Sequence, residues 1–389
     1  MTPPTPPRYV VVCNPDTPRG RAYPAELRDF WARRHVTHEV VVVPWAEVVP
    51  ADGCLDGLPA FDRPAVVKLE SPGKCDAAYR LLLDAGSRET PGEPRRGWAD
   101  LELPKGLLVR PGLHFAGFRR VLRGLKASFA ARPHLTPTAD PDAIATMFDK
   151  TAAAERLRGV GVPVPETLDP FGGNTPKRYH MLPANVSLYV KLNAGSSAVG
   201  IAIAKRGFNS FSLTTTVLLK DGECYNSRRL QVYDRTEAAM VFNWIVDEGA
   251  ILQPEVPAAR IGGRKFDVRV VCYYGKPVAC IFRLSDGPIT NLHLGGSRGD
   301  FAACKATVPP RDWLDGLDHA SDAAEAFDSA VCGVDLIFEP GYRRHAVLEV
   351  NAFGDFFPGL VTGDGLPLRF AEIAETARRA GFDSASGGR

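Results

Sequence analysis

Apolar runs alternate with helix-like stretches over the first hundred residues of the chain. The pattern predicts strands at Tyr9–Cys13, Val40–Val43 and Ala65–Leu69, and helices at 22–34 and 74–86. Strands that alternate with helices are typical of a parallel sheet. Residues 9–110 are therefore predicted to form a small α/β domain.

The run Lys68-Leu69-Glu70-Ser71-Pro72-Gly73 ends the third predicted strand and leads into a helix. The carboxyl end of such a strand is the edge at which parallel sheets bind ligands. An ordinary strand-to-helix turn has the same pattern, so the two interpretations stay open.

A basic stretch, Phe115–Arg132, predicts a helix that connects this domain to the rest of the chain within residues 111–139. Its apolar side chains recur at helical spacing, and most of its basic side chains lie elsewhere around the helix. Such a helix could bind an acidic substrate or nucleic acid. It could also pack one face on a core and expose the other to water.

Asp140-Pro141-Asp142 predicts the start of another helix, because Asp caps helices and Pro fits their first turn. This helix is expected to reach about Arg158, just before two glycines that would end it. From about residue 186 strand patterns dominate, with helices predicted near 236–248 and 321–332. The second part of the chain is therefore predicted to be an α+β body.

The charges of the 389-residue chain nearly cancel, with 47 basic and 45 acidic side chains. This balance argues against nucleic acid or a membrane surface as a partner. No apolar stretch is long enough to span a bilayer, and residues 1–8 are predicted to be a disordered leader without signal-peptide features. Eight cysteines without a C-x-x-C pair predict reduced thiols, no structural zinc and a cytoplasmic protein.

A polar loop between two predicted strands is the first candidate for chemistry. Ser187–Leu192 and Ile201–Lys205 are the strands, and Asn193–Gly200 is the loop. Its glycines and serines would let N–H groups and hydroxyls approach an anion, and Lys191 would stand on the polar face beside it. The loop lacks the Walker A pattern. A phosphate cradle and a plain hairpin loop fit this segment equally well.

A hairpin farther along the chain carries two arginines. Alternation in Arg264–Val271 places Asp267 and Arg269 on one face. The return strand Val278–Leu284 carries Arg283, which a simple two-residue turn would put on the apolar face. A longer loop or a bulge is needed if Arg283 is to act beside Arg269. An exposed Asp–Arg salt bridge is the simpler interpretation.

Two strands near the end of the chain, Gly333–Glu339 and His345–Asn351, predict a second hairpin. If its loop is symmetric, Asp335 lies directly opposite Glu349, and Asn351 shares their face. Neighbouring carboxylates repel each other without a cation, whereas with an amide oxygen they suit Mg²⁺. A metal site is favoured over a solvated acidic face. The opposite face is predicted to carry Leu336, Phe338, Leu348 and Val350.

These segments occur in the order of the ATP-grasp superfamily, and they most resemble the RimK and glutathione synthetase type of carboxylate–amine ligase. The resemblance covers about residues 140–360. The matching segments are Phe148-Asp149-Lys150, Val190-Lys191-Leu192 with its loop, Leu252-Gln253-Pro254-Glu255, Asp267-Val268-Arg269, Arg283, Asn291-Leu292-His293-Leu294-Gly295-Gly296, Asp335 and Leu348-Glu349-Val350-Asn351-Ala352.

The resemblance implies a role for each matched residue. ATP contacts would come from Lys150, Lys191, Asp267, a mobile loop with Gly195, Ser196, Ser197 and Gly200, and a hinge with Gln253, Glu255 and Val256. The γ-phosphate and then an acyl phosphate would be bound by Arg269 and Arg283, with Asn291 and His293 near phosphate or substrate. Mg²⁺, or Mn²⁺ in its place, would be held by Asp335, Glu349 and Asn351.

The implied fold class is α+β, with two α+β subdomains that grip ATP behind a small α/β domain. The predicted divisions are 1–8, 9–110, 111–139, 140–255 with an insertion near 206–235, 256–375, and a polar tail at 376–389. The chain departs from the family at Ala198, where a further glycine is usual, and at Pro254, which cannot donate a backbone hydrogen bond in the hinge.

The implied activity is an ATP- and Mg²⁺-dependent ligase that activates a carboxylate as an acyl phosphate for attack by an amine. Its partners would be small-molecule or peptide carboxylates and amines, with no nucleic acid and no membrane; a homodimer is an open alternative to a monomer. Two other functions stay open. One is a kinase on the same fold, and the other is an ATP-binding regulatory protein without catalysis.

Overall fold

The computed structural model describes residues 6–93, 97–168, 178–195, 198–354 and 359–382. Within them, one parallel sheet and two antiparallel sheets follow one another along the chain. The predicted site residues Ser196 and Ser197 lie outside the described residues.

The first domain is built on a parallel sheet with strand order β2-β1-β3-β4. Its elements are β1 (Arg8–Cys13), α1 (Pro18–Ala32), β2 (Glu39–Pro44), α2 (Trp45–Val48), β3 (Ala65–Leu69), α3 (Asp76–Glu89), α4 (Pro111–Ala130) and β4 (Leu135–Pro137). Every residue of β1 and β3 is buried, because helices cover both faces of the sheet. The predicted connector 111–139 therefore supplies a helix and a strand to this domain.

The basic side chains of α4 are largely neutralised within the protein. Arg120 and Arg123 form ion pairs with Glu89, and Lys126 does so with Asp140. This arrangement favours the packed and solvated interpretation of the basic helix over a surface for nucleic acid. Among the described helices, none is long and apolar enough to cross a membrane.

The second unit is a five-stranded antiparallel sheet with strand order β8-β7-β6-β5-β9. It follows α5 (Pro141–Phe148) and α6 (Lys150–Gly159) and contains β5 (Val186–Leu192), β6 (Ile201–Arg206), β7 (Phe211–Lys220), β8 (Glu223–Asp234), α7 (Arg235–Asp247) and β9 (Ala250–Pro254). The stretch near 206–235 forms the β7–β8 hairpin at the edge of this sheet.

The single helix predicted from Asp140 to Arg158 is wrong, because the chain breaks it at Asp149. The backbone of Asp149 is extended there, with φ −85° and ψ 99°, and its side chain accepts a hydrogen bond from the N–H of Ala152. Asp149 therefore ends α5 and caps α6, which leaves Lys150 at the first position of the new helix.

The third unit is an antiparallel sheet with strand order β13-β12-β11-β14-β15, and β10 pairs with β11. Its elements are β10 (Arg260–Ile261), β11 (Arg264–Tyr273), β12 (Lys276–Ser285), β13 (Ser297–Arg298), α8 (Phe301–Lys305), α9 (Pro310–Glu325), β14 (Val331–Phe338) and β15 (His345–Asn351). The helix predicted near 321–332 is wrong. Pro310 starts it earlier, and the chain is already a fully buried strand from Val331.

The last helix, α10 (Leu368–Arg379), returns to the first domain and packs on the side of β1 that faces α1. Lys68 of β3 donates to Glu372 of α10 at 2.6 Å, and both side chains are almost fully buried. The polar tail predicted to start at 376 therefore starts later, because Thr376 and Ala377 are buried helical residues.

A buried carboxylate at the end of β3 holds the first domain to the rest of the protein. Glu70 receives hydrogen bonds from Arg19 of α1 at 2.5 Å and from Arg369 of α10 at 3.2 Å. Arg19 also donates to the backbone carbonyls of Phe353 and Gly354, just after β15. Burial raises the pKa of Glu70, but the neighbouring positive charges outweigh it and hold that pKa at about 2 instead of 4.5.

We expect Glu70→Gln to lower the free energy of unfolding at pH 7 by roughly 3 kcal/mol, because it leaves buried guanidinium groups without their carboxylate. A lowered pKa in the folded state stabilises the protein above pH 4.5 and loses this effect as the pH falls toward 2. The variant should therefore show a flatter decline in stability over that interval in urea unfolding at a series of pH values.

Glu375 provides a matched control for this experiment. Its pKa is also held at about 2, by Arg378 and Arg379, but its side chain is 30% exposed. Water screens such a pair, so Glu375→Gln should cost less than about 1 kcal/mol. Equal losses in the two variants would contradict the role assigned to the buried Glu70.

Candidate functional site

A cleft lies between the second and third units. Strands β5 and β9 form one wall, and β11, β12, β14 and β15 contribute to the other. Ten of the predicted site residues line it, namely Lys150, Lys191, Gly195, Gln253, Val256, Asp267, Arg283, Asn291, Asp335 and Glu349. The fold thus brings together residues that are separated by up to two hundred positions.

Strand register brings the two predicted arginines to one face. Arg269 lies opposite Asp335 of β14, and Arg283 lies opposite Asp267. Either a longer loop or a bulge could bring Arg283 beside Arg269, and the structure has the bulge, because the β11–β12 register shifts by one residue after Val271. Without this shift Arg283 would point to the opposite face of its strand.

These four charged side chains form one buried network. Arg283 binds Asp267 through two hydrogen bonds of 2.7 and 2.6 Å, and it also lies 3.0 Å from Asp335. Arg269 binds both oxygens of Asp335, through Nε and, at 3.1 Å, through Nη2. Thr290 donates to Oδ2 of Asp267 at 2.7 Å, the oxygen that Nη2 of Arg283 also binds. Each guanidinium is therefore fixed in orientation, Arg283 on the cleft wall and Arg269 on the wall of the adjoining second cavity.

The electrostatics of Asp335 differ from what the sequence suggested. Burial raises the pKa of its carboxyl group, but the charges of Arg269 and Arg283 outweigh burial and hold the pKa far below its usual range. The repulsion expected between Asp335 and Glu349 is thus offset by two arginines without any metal. An exposed Asp–Arg salt bridge, the simpler interpretation of this hairpin, is wrong because all the partners are buried.

The predicted pairing of Asp335 with Glu349 is confirmed, although the loop between them is not symmetric. The register is shifted by one residue near the loop, and a bulge after Asp335 corrects it. Leu348 is the extra residue, and it lines the cleft instead of taking the opposite face as predicted.

The oxygen atoms at the end of β15 are suited to bind a hard cation. The amide nitrogen of Asn351 donates to the Gly333 carbonyl at 3.2 Å and to Glu349 at 3.3 Å. Within the described part of the chain, its amide oxygen and the second oxygen of Glu349 have no protein donor. One carboxylate and one neutral oxygen, with phosphate oxygens and water, satisfy Mg²⁺. Glu349 and Asn351 therefore fit such an ion, whereas both oxygens of Asp335 are already bound by arginines.

Two lysines face this carboxylate group from the other side of the cleft. Lys150 donates to the carbonyl of Gly195 at 2.5 Å, and Lys191 donates to the side chain of Gln253 at 2.8 Å. Burial lowers the pKa of Lys150, and it lowers the pKa of Lys191 to about 8. Neutral oxygens compensate a buried ammonium only partly, so both lysines are suited to bind an anionic ligand.

The polar loop has a constrained backbone just after Ser196 and Ser197. Gly200 has φ +64°, and a Cβ atom there would lie 2.4 Å from Leu192. Ala198 has φ +60°, a left-handed conformation that glycine adopts more easily. The carbonyl of Ala198 accepts a hydrogen bond from Thr216 at 2.8 Å. The departure at Ala198 therefore lies where the loop geometry favours glycine.

Three predicted residues lie toward the edges of the site. Glu255 is not among the residues that line the cleft, and it binds Lys265, which does line it, at 2.8 Å. Asn291 accepts a hydrogen bond from the N–H of His293 at 2.7 Å, and the His293 side chain is exposed. Both residues line a second cavity that continues from the cleft.

Sequence reasoning missed several residues of the site. Tyr189 lines the cleft two positions before Lys191 on β5, and the alternation that selected Lys191 could have identified it. Lys265 lies two positions before Asp267 on β11, so the same alternation could have identified it as well. Thr290 gave no comparable signal, because its role depends on loop geometry.

The second cavity extends the site toward the first domain. It shares Lys150, Arg283, Asn291 and Glu349 with the cleft, and Arg269 and His293 join them there. Its far side comes from the first domain. A ligand bound in the cleft and a second ligand in this cavity would thus meet at the arginine pair.

Similar folds occur among solved structures. D-alanine–D-alanine ligase from Bacillus anthracis, complexed with ATP, matches with a TM-score of 0.50 and 11% identity over 96% of this chain and 97% of that one. D-cycloserine synthetase DcsG matches with a TM-score of 0.50 and 16% identity, over 96% and 99% of the two chains. No protein-family model and no curated protein matches the sequence. Both structures are ATP-grasp ligases.

The chain has the ATP-grasp fold. The two antiparallel sheets are the halves of the grasp, and the parallel sheet is the α/β domain in front of it. The fold class predicted from the sequence is confirmed. The narrower likeness to the RimK and glutathione synthetase type stays a prediction.

We expect Lys191→Met to weaken Mg–ATP binding about ten- to a hundred-fold in calorimetry, because a charged hydrogen-bond donor is lost from a buried site. In the wild type, affinity should also fall as the pH rises through about 8, since the lysine then loses its proton. Lys191→Arg stays charged over this interval and should abolish that pH dependence. Unchanged affinity in Lys191→Met, with the fold intact by circular dichroism, would remove Lys191 from the site.

Asp335→Asn and Glu349→Gln should differ in their effect on the nucleotide-free protein. Asp335→Asn leaves two buried guanidinium groups poorly paired and should lower the free energy of unfolding by roughly 3 kcal/mol. Glu349→Gln should change it by less than about 1 kcal/mol, because that carboxylate is only partly buried. Thermal unfolding of the two variants measures both values. A stabilised Asp335→Asn variant would show that carboxylate repulsion dominates after all.

Proposed function

We propose that this protein is an ATP-dependent ligase that activates a carboxylate as an acyl phosphate and joins it to an amine. The observation that carries the proposal is the buried arginine pair, Arg269 and Arg283, held by Asp335 and Asp267 on the wall of an ATP-grasp cleft. Fixed positive charge of this kind stabilises a phosphoryl group in transfer. The products would be an amide, ADP and phosphate.

Nucleotide binding would use the side of the cleft formed by the second unit. Lys150 and Lys191 would contact the phosphates, and the loop from Gly195 to Gly200 would cover them. The adenine would lie along the hinge from Gln253 to Val256, where Pro254 removes one donor. The solved D-alanine–D-alanine ligase of the same fold is complexed with ATP, which supports ATP as the nucleotide.

The chemistry requires no protein nucleophile. An oxygen of the substrate carboxylate attacks the γ-phosphorus, and the bond between that phosphorus and the ADP oxygen breaks. The amine nitrogen then attacks the acyl carbon, phosphate leaves with the electrons of its C–O bond, and the nitrogen loses a proton. Arg269 and Arg283 would offset the negative charge on the transferred group and hold it in line with both reactants.

Mg²⁺, or Mn²⁺ in its place, would be held by Glu349 and Asn351 together with phosphate oxygens, and it would neutralise charge on the triphosphate. We assign Asp335 a different main task from the metal ligand predicted from the sequence. Its carboxylate orients the two arginines, and Asp267 does the same for Arg283 from the other side. Asn291 and His293 would contact phosphate or substrate where the two cavities meet.

The substrates would be amino acids, peptides or other small carboxylates and amines. A cytoplasmic location is supported by eight free cysteine thiols, since the reducing cytoplasm keeps thiols in this form. Nucleic acid is not expected as a partner, because the basic helix α4 is paired with carboxylates of the same chain.

Hydroxylamine distinguishes a ligase from a kinase. An acyl phosphate is a reactive mixed anhydride and forms a hydroxamate with hydroxylamine, whereas a phosphate ester is inert to it. Purified protein with Mg–ATP, hydroxylamine and a pool of amino acids, short peptides and carboxylic acids should release ADP and phosphate and yield a hydroxamate. Stable transfer of the γ-phosphate to an alcohol, without free phosphate, would overturn the ligase and support a kinase.

Arg269→Lys keeps the charge but loses the two-point contact with Asp335, and it should lower hydroxamate formation at least a hundred-fold. Arg264→Lys is the matched control, because Arg264 lies on the same strand and bonds to Ser297 and Leu284 away from the arginine pair. Its rate should stay within about two-fold of wild type. Melting temperatures of both variants show whether a lost rate reflects a lost fold.

A further inference from the structure

The second cavity has an excess of positive charge that the nucleotide alone does not explain. Among the described residues that line it, Glu349 is the only carboxylate. The cationic side chains on its walls are Arg19, Lys74, Lys150, Arg269, Arg283 and Arg298. A cavity of this composition concentrates anions.

Several of these charges already have an assigned partner. Arg269 and Arg283 are paired with Asp335 and Asp267, and Arg19 is paired with Glu70. Lys150 belongs to the phosphate end of the cleft. Lys74, on the side of the first domain, forms no ion pair or hydrogen bond within the described part of the chain.

Lys74 is presented to the cavity by a rigid turn. It follows the carboxyl end of β3, and its backbone is left-handed, with φ +61°. The turn is held from below by the buried side chain of Asn14, which donates to the carbonyl of Pro72 at 2.6 Å. The hydroxyl of Ser71 accepts a hydrogen bond from the N–H of Gly73 at 3.2 Å. These contacts fix the backbone from which the Lys74 side chain extends.

We propose that Lys74 binds a second carboxylate of the substrates, one that does not react, and so determines specificity for anionic substrates. The inference rests on the proposed function, because it takes the reacting carboxylate to lie at the arginine pair. The strand-to-turn run Lys68–Gly73 is then the ligand-facing edge of the first domain, as one of its two interpretations suggested. Arg298 faces the same cavity from β13 and adds to its positive potential.

The non-reacting carboxylate has two chemical sources. It belongs either to the acid, which would then be a dicarboxylate, or to the amine, which would then be an amino acid. The charge and its recognition by Lys74 are the same in both cases. Paired probes, one with and one without this carboxylate, separate the two sources.

Calorimetry on the full chain, loaded with Mg²⁺ and a non-hydrolysable ATP analogue, provides the test. One arm compares the binding of glutarate with that of butyrate. The other arm compares the binding of alanine with that of alaninamide, and both enantiomers of these two compounds are measured. In one of the two arms, the probe that carries the additional carboxylate should bind at least about ten-fold more tightly than the probe that lacks it. That arm identifies the source of the non-reacting carboxylate. Lys74→Gln should abolish the preference, and Lys74→Arg should retain most of it.

Lys276→Gln is the control, because Lys276 is also exposed but lies at the β11–β12 turn, away from both cavities. It should leave the preference unchanged. The proposal is overturned if no probe binds, if neither pair differs by more than about two-fold, or if the preference survives in Lys74→Gln. Binding is measured without turnover. If the preference is present but no hydroxamate forms in the ligase assay, the anion site is retained and the ligase activity is rejected.

Discussion

Four charged side chains buried between three strands determine the rest of this site. Arg269, Asp335, Arg283 and Asp267 are each more than nine-tenths buried, and isolated charges in such a place would cost several kcal/mol each. They are tolerated because every carboxylate oxygen has a guanidinium donor. The network leaves few alternatives for the strand register, because a slip by one residue would separate all the partners. The same four side chains are therefore needed both for the stability of the third sheet and for the alignment of the cleft wall.

On the opposite wall of the cleft, the two charged side chains donate hydrogen bonds to uncharged groups. Lys150 and Lys191 are partly buried and donate hydrogen bonds to neutral oxygens, and burial outweighs the nearby charge of Glu349 and lowers the pKa of each. One half of the cleft therefore holds charges that are already neutralised, and the other half holds charges that are not. A polyanion placed between them gains most from the lysines, while the arginines keep their orientation throughout.

The alternation of side chains was enough to predict most strands and the polar faces that carry Asp267, Arg269, Asp335, Glu349 and Asn351. Two features of the site depend on single-residue bulges, and no local pattern specifies where they occur. One bulge was among the two alternatives, with a longer loop, that would bring Arg283 beside Arg269. The other, at Leu348, was not foreseen because the pairing of Asp335 with Glu349 also fits a symmetric loop. The break between α5 and α6 at Asp149 was not predicted, because the residues on both sides of it follow a strong helical pattern that conceals the capping role of Asp149. The partners of Asp335 and the turn at Lys74 depend on segments far apart in the sequence, which periodicity does not detect.

The position of α10 has a consequence for synthesis of the chain. This helix completes the core of the first domain, and its Glu372 neutralises Lys68, 304 positions earlier in the sequence. At about 5–20 residues per second, a ribosome needs roughly 15–60 s to translate that interval. During this time β1 and β3 lack α10, one of the helices that cover them. The ammonium group of Lys68 then lacks its partner carboxylate, Glu372. We expect the first domain to stay loosely packed on the ribosome and to reach its final form only when the last helix has emerged, so the domain made first is completed last.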